Sequence, residues 1–169
     1  METFTNVSAF YFFLQGIPEC MGVVALSLAY AKVPLRWGYI VISAVFLVVI
    51  NYFIRSLPLT FGFHLPVMMF IIYLLIVKFT NSTLSRTIIA VFSSVATLAL
   101  LEFVVSNVYF SISTLEPQDV IANERLWAII GVVQAAILNI TALIVARIIK
   151  PNEGAWKNES PGIQQKMGE

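Results

Sequence analysis

One cysteine, one histidine and one aspartate stand in 169 residues, and only 11% of the chain is charged. Each scarcity removes a class of protein. With Cys20 alone, neither an intrachain disulfide nor a cysteine-based zinc site can form, and its place inside an apolar run makes it a packing residue. A single histidine, His64, leaves no paired metal-ligand motif, and no serine nucleophile has a histidine nearby in a recognisable elbow. No phosphate-binding glycine loop is present, so no metal, cofactor or catalytic constellation is expected and the chain reads as no enzyme. A net charge of +1 without a long basic block argues against a nucleic-acid partner. No Lys or Arg precedes Lys32, so the first apolar stretch lacks the flank of a removable signal peptide and is expected to be retained.

What remains is hydrophobic. At 59% apolar residues, against about 45–50% in soluble domains, too little polar surface exists to wrap an aqueous globule. Five segments approach the roughly 17–25 residues that a spanning helix needs: 8–31, 38–55, 61–79, 83–110 and 126–150. They are expected to be helices, because an open strand edge cannot be satisfied in hydrocarbon and barrel-type alternation is missing. The fold class expected is an all-α, multi-pass cell-membrane protein of five transmembrane helices over residues 1–150. The tail 151–169, opened by Pro151 and rich in polar residues, is expected to be disordered and cytoplasmic.

Orientation follows from the basic residues, which gather in cytoplasmic loops. Lys32, Arg36, Lys78, Arg86, Arg147, Lys150, Lys157 and Lys166 fall on one side of five spans, leaving Arg55 and Arg125 on the other. The N-terminus is therefore expected outside and the C-terminus inside. Trp37, Tyr39, Tyr109 and Trp127, at span ends, read as interfacial anchors.

Ionisable groups inside a span cost about 2.5–3.5 kcal/mol at its centre and are expected to face the bundle interior. Glu19 and Glu102 are two such groups. Glu19 follows Gln15, Gly16, Ile17 and Pro18, and Pro18 should kink or break the first helix, either as part of a ligand site or as a plain proline kink. Asn51 and Arg55, four apart on one helical face, His64 at the start of the third span and Gln134 in the fifth complete an expected polar layer in the outer half. Arg55 is either a counter-ion for Glu19 or Glu102 or a side chain reaching to lipid headgroups. His64 is either a sensing group or a hydrogen-bonded structural one. Asn139, Thr141, Ser93, Ser94 and Thr97 are expected to be helix-packing contacts.

The motifs Gly16-Ile17-Pro18-Glu19, Arg55-x-x-Pro58 and Gly62-Phe63-His64 resemble the multi-span N-terminal sensor region of Firmicutes quorum-sensing and sporulation-type histidine kinases, over about residues 10–150. The resemblance implies signal reception, with Glu19, Arg55 and His64 as matching polar positions. It departs where such kinases continue into a phosphoacceptor helix and an ATP-binding domain, because Pro151 ends the helix here. The expectation is a free-standing, bacterial sensor or regulatory module, surrounded by the lipid bilayer, that binds a small apolar or peptide ligand in its outer-half polar layer. It would act through a membrane or cytoplasmic partner, a kinase or transporter component, or as a homo-oligomer. The alternative is a substrate-binding membrane subunit of a transporter, and a third reading is an assembly subunit whose polar layer only sets helix register.

Overall fold

A computed structural model describes residues 2–56, 64–113, 123–152 and 154–157. These form five helices: α1 (Glu2–Tyr30), α2 (Trp37–Ser56), α3 (His64–Phe79), α4 (Leu84–Ile112) and α5 (Glu124–Ile148). No strand occurs among the described residues, apart from one isolated bridge between Thr80 and Trp156. The all-helical class expected from composition is what the chain adopts. Four helices are long and apolar enough to cross a membrane, and α3 falls short of that length over Leu65–Phe79.

α1 is the centre of the bundle. It packs most extensively on α5 and also on α2 and α4, while α3 packs on α4 and α2. Its inner half explains why: Val23, Val24, Ala25, Leu26, Leu28 and Ala29 are all buried. A helix apolar on every side, as this one is, belongs inside other helices. α5 meets it with a stripe of mostly small buried residues, Ala128, Gly131, Ala135, Leu138 and Ala142. These recur at alternating steps of three and four, a spacing that keeps one face towards a neighbour and lets two backbones approach closely. Both helices contribute a glycine. A Cβ at Gly22 would stand 2.8 Å from Leu138 Cδ2, and a Cβ at Gly131 would overlap the Gln15 side chain. Because Gln15 lies at Gly131 and Gly22 at Leu138, α1 and α5 run parallel in a single register.

α1 ends in a left-handed cap. Lys32 has φ 59°, its N–H bonds Ala29 O at 3.0 Å, and Val33 N–H bonds Leu28 O at 2.9 Å. This is the Schellman arrangement, with buried Val33 closing over the last turn and Pro34 following. Lysine occupies the position glycine usually takes.

One end of the bundle is tied together by the chain that leaves α5. Asn152 N–H bonds Lys32 O at 2.9 Å, Asn81 N–H bonds Ala155 O at 2.8 Å, and Lys157 N–H bonds Phe79 O at 3.2 Å. Trp156, only 4% exposed, donates from Nε1 to Pro34 O at 3.0 Å, lies edge-on to Tyr39 at 4.8 Å and carries the Arg36 guanidinium 5.0 Å above its ring. Lys157 Nζ caps the end of α3 through Val77 O and Lys78 O, where a cation complements the helix dipole. The disorder expected from residue 151 onward thus stops short of these residues: Asn152 and 154–157 form a clasp, because one large aromatic finds an apolar slot. Residues 158–169 lie outside the described ones. Tyr39, expected as an interfacial anchor, packs within this clasp.

The C-terminal ends of α1, α3 and α5 and the N-terminal ends of α2 and α4 therefore share one end of the bundle. Seven cationic residues lie there, Lys32, Arg36, Lys78, Arg86, Arg147, Lys150 and Lys157, with no acidic side chain among the described residues at that end. Arg55 and Arg125 belong to the opposite end.

Candidate functional site

Burial divides the bundle into two halves. The fully buried residues of α1 begin at Gly22 and those of α2 end at Val48, so the half near the clasp is solid. Towards the opposite end, residues 11–21 of α1 are mostly half-buried, and α4 beyond Leu98 has no buried residue. The polar residues lie in this looser half.

The register between helices sets their levels. Gly16 faces Val48, and the Phe12 ring lies tilted against that of Tyr52 at 5.7 Å, so α1 and α2 are antiparallel and Asn51 stands near the level of Phe13. The α1–α5 register sets Gln134 near the level of Pro18. Gln15, Glu19, Asn51 and Gln134 consequently fall within about 9 Å along the bundle axis, at about 1.5 Å per residue. These four are brought to one level, although they belong to three helices.

Each has a distinct setting. Gln15 lies over Gly131. Gln134 is buried, with 7% exposure, on the α5 stripe. Glu19 is half-buried and shares the Gln15 face of α1 at a spacing of four. Asn51 is half-buried, and its Oδ1 is sealed from solvent without a hydrogen-bond partner among the described residues. Such an acceptor costs about 1–3 kcal/mol when unmet, so it marks a place where a donor is wanted. Beside it, Phe12, Phe13 and Tyr52 form an aromatic cluster with centroids 5.6–5.7 Å apart. Sequence reasoning did not single out these rings; their signal is the run of aromatics at 10–13 opposite Tyr52 and Phe53.

Two expectations change. Pro18 does not interrupt α1, which is continuous from Glu2 to Tyr30. Asn139 Nδ2 donates to Pro18 O at 2.8 Å and to Ala135 O at 2.7 Å, so α5 braces the proline turn from outside, and Asn139 is the packing contact expected of it. Glu102 does not face the interior. The buried stripe of α4, Thr87, Ala90, Val91, Ser94 and Leu98, continues through half-buried Leu101 and Val105 and leaves Glu102 exposed between Leu100, at 66%, and Phe103, at 67%. It is not part of the group at Gln15 and Glu19. The backbones of Arg55 and His64 sit at the ends of α2 and α3, and their side chains lie outside the described residues. No group of three or more His, Cys, Asp or Glu able to hold a metal ion occurs among the described residues.

No known protein family, no curated protein and no solved structure matches this chain.

Proposed function

We propose that this chain is a multi-pass membrane sensor or regulatory module that performs no chemistry of its own. It takes a small apolar or peptide ligand between α1 and α2 in the loosely packed half, and works through a partner protein. The observation that carries this reading is the Asn51 acceptor without a donor among the described residues, set beside the aromatic cluster of Phe12, Phe13 and Tyr52. Rings offer apolar area at low entropic cost, and a few placed polar groups fix orientation. Gln15, Glu19 and Gln134 supply further polar groups at that level. Signal reception is also what the resemblance to kinase sensor regions implies.

The topology proposed is five crossings, with the clasp end cytoplasmic. Two observations support it. α2 leaves the clasp end over 20 residues and α3 is back there at Phe79, so the chain returns the full height even though α3 is short. The segregation of cations to the clasp end matches the inside rule.

Glu19 and Arg55 are proposed as a desolvated pair. Their backbones are about 15 Å apart along the axis by the α1–α2 register, on antiparallel helices. The test is a double-mutant cycle read by unfolding in detergent: Glu19→Gln and Arg55→Gln together should lose less stability than the sum of the singles, and additivity removes the pair.

The ligand reading is tested on purified protein with libraries of short apolar peptides and fatty acyl amides. At least one compound should raise the unfolding temperature saturably, Asn51→Leu should abolish that rise, and no ATP hydrolysis should accompany it. Turnover that depends on Glu19 would overturn the non-enzymatic reading.

A further inference from the structure

A cleft of about 400 Å³ lies between α1 and α4 near the clasp end, lined by Tyr30, Thr83, Arg86, Ile89, Ala90 and Ser93. Its volume is within the range of about 300–1,000 Å³ typical of small-molecule sites, and its lining is divided by chemistry. One part is a guanidinium with three hydroxyls, and the other is the side chains of Ile89 and Ala90.

The polar part is uncommitted. Thr83 is the N-cap residue of α4, yet its side chain makes no capping bond. Arg86 is exposed, and its guanidinium has no ion pair or hydrogen bond among the described residues. Among the described residues the Tyr30 hydroxyl reaches only Thr97 Oγ1, at 3.5 Å. Three other cations at this end are engaged: Arg36 lies over Trp156, Lys78 lies 5.5 Å from the Phe79 ring, and Lys157 bonds the α3 carbonyls. The apolar part opens outward, since Ile89 is 66% exposed on the flank of the bundle while Ala90 is buried.

We propose that this cleft binds a phosphate group, and that its carrier is an anionic phospholipid of the leaflet at the clasp end. A planar guanidinium matches phosphate oxygens with two parallel donors, and hydroxyls complete the shell. The exposed apolar wall running up α4 from Arg86 is suited to an acyl chain, and a free phosphate would leave it unused. Basic pockets between spanning helices on the cytoplasmic side are where acidic headgroups are held. The sensor reading is not required: its site is at the other end of the bundle, and the two can fail separately.

The test uses full-length protein delipidated in dodecyl maltoside and titrated with dioleoyl phosphatidylglycerol or dioleoyl phosphatidylcholine, read by native mass spectrometry and by unfolding temperature. The expected result is one retained phosphatidylglycerol with a saturable rise in unfolding temperature, and weak binding of the zwitterionic lipid. Arg86→Gln should weaken retention on the order of tenfold, equivalent to about 1.4 kcal/mol, and Arg86→Lys, which keeps the charge and loses the fork, should fall between. Arg147→Gln, at an exposed cation that does not line the cleft, should bind as the parent does. Equal retention by Arg86→Gln, equal binding of both lipids, or an equal loss in Arg147→Gln would each overturn the site. Stabilisation by millimolar inorganic phosphate that matches the lipid's would overturn the lipid as carrier.

Discussion

Gln15 and Gly131 occupy the same space from opposite sides, the amide of one filling the place where the other lacks a side chain. Gly131→Ala should therefore cost about 1–3 kcal/mol by overpacking, and Gln15→Ala introduced with it should return most of that loss. Unfolding of the four proteins in detergent measures the coupling, and additive effects would mean that the glutamine simply swings aside. Half of this pair was visible in advance. A glutamine in an apolar run stands out, as do Glu19, Asn51 and Gln134. Gly131 does not, because glycine is common in spanning helices and its meaning lies in the company of Ala128, Ala135 and Ala142. Glu102 shows the opposite limit. Its cost in lipid led to the expectation that it would face the interior, but which face of α4 is covered depends on the stripe through Leu98 and Leu101, and that is a property of the bundle.

At the scale of elements, hydropathy places the five helices to within a few residues except at the start of α1, which begins six residues earlier than expected. Helix ends are set by local chemistry that hydropathy ignores. Asn123 caps α5 by accepting from Arg125 and Leu126 N–H, and Lys32 ends α1 in a conformation that L-residues avoid. Lys32→Gly should consequently stabilise the protein by about 0.5–1 kcal/mol, seen as a higher unfolding temperature; a lower one would show that the lysine side chain contributes more than its backbone costs. The clasp was not legible, since Asn, Gly and Pro dominate its composition and a single tryptophan decides its structure. Trp156→Ala should cost about 3–5 kcal/mol, the usual scale for a buried aromatic, and should remove the least quencher-accessible component of tryptophan fluorescence, because Trp37 is 47% exposed and Trp127 36%. If quenching is unchanged in that variant, the indole is not buried as described.

For the molecule as a whole, the alternation of helices and the gathering of cations at one end make a single statement about sidedness. A reporter fused after Glu169 should read cytoplasmic and one inserted near Asp119 external; the same side for both would remove the five-crossing topology. The central place of α1 has a further consequence for how the chain is made. Its principal partner, α5, begins at Glu124, about 100 residues after α1 ends, which at roughly 5–20 residues per second of synthesis is a wait of about 5–20 s. In the five-crossing topology proposed, the first helix would spend that interval in the bilayer with Gln15 and Glu19 without α5 beside them and the Pro18 carbonyl without Asn139. A nascent chain halted before Glu124 should thus be recognised as unassembled, rapidly degraded, and rescued by supplying α5 as a separate polypeptide, so that quality control of this protein is exercised at its fifth helix.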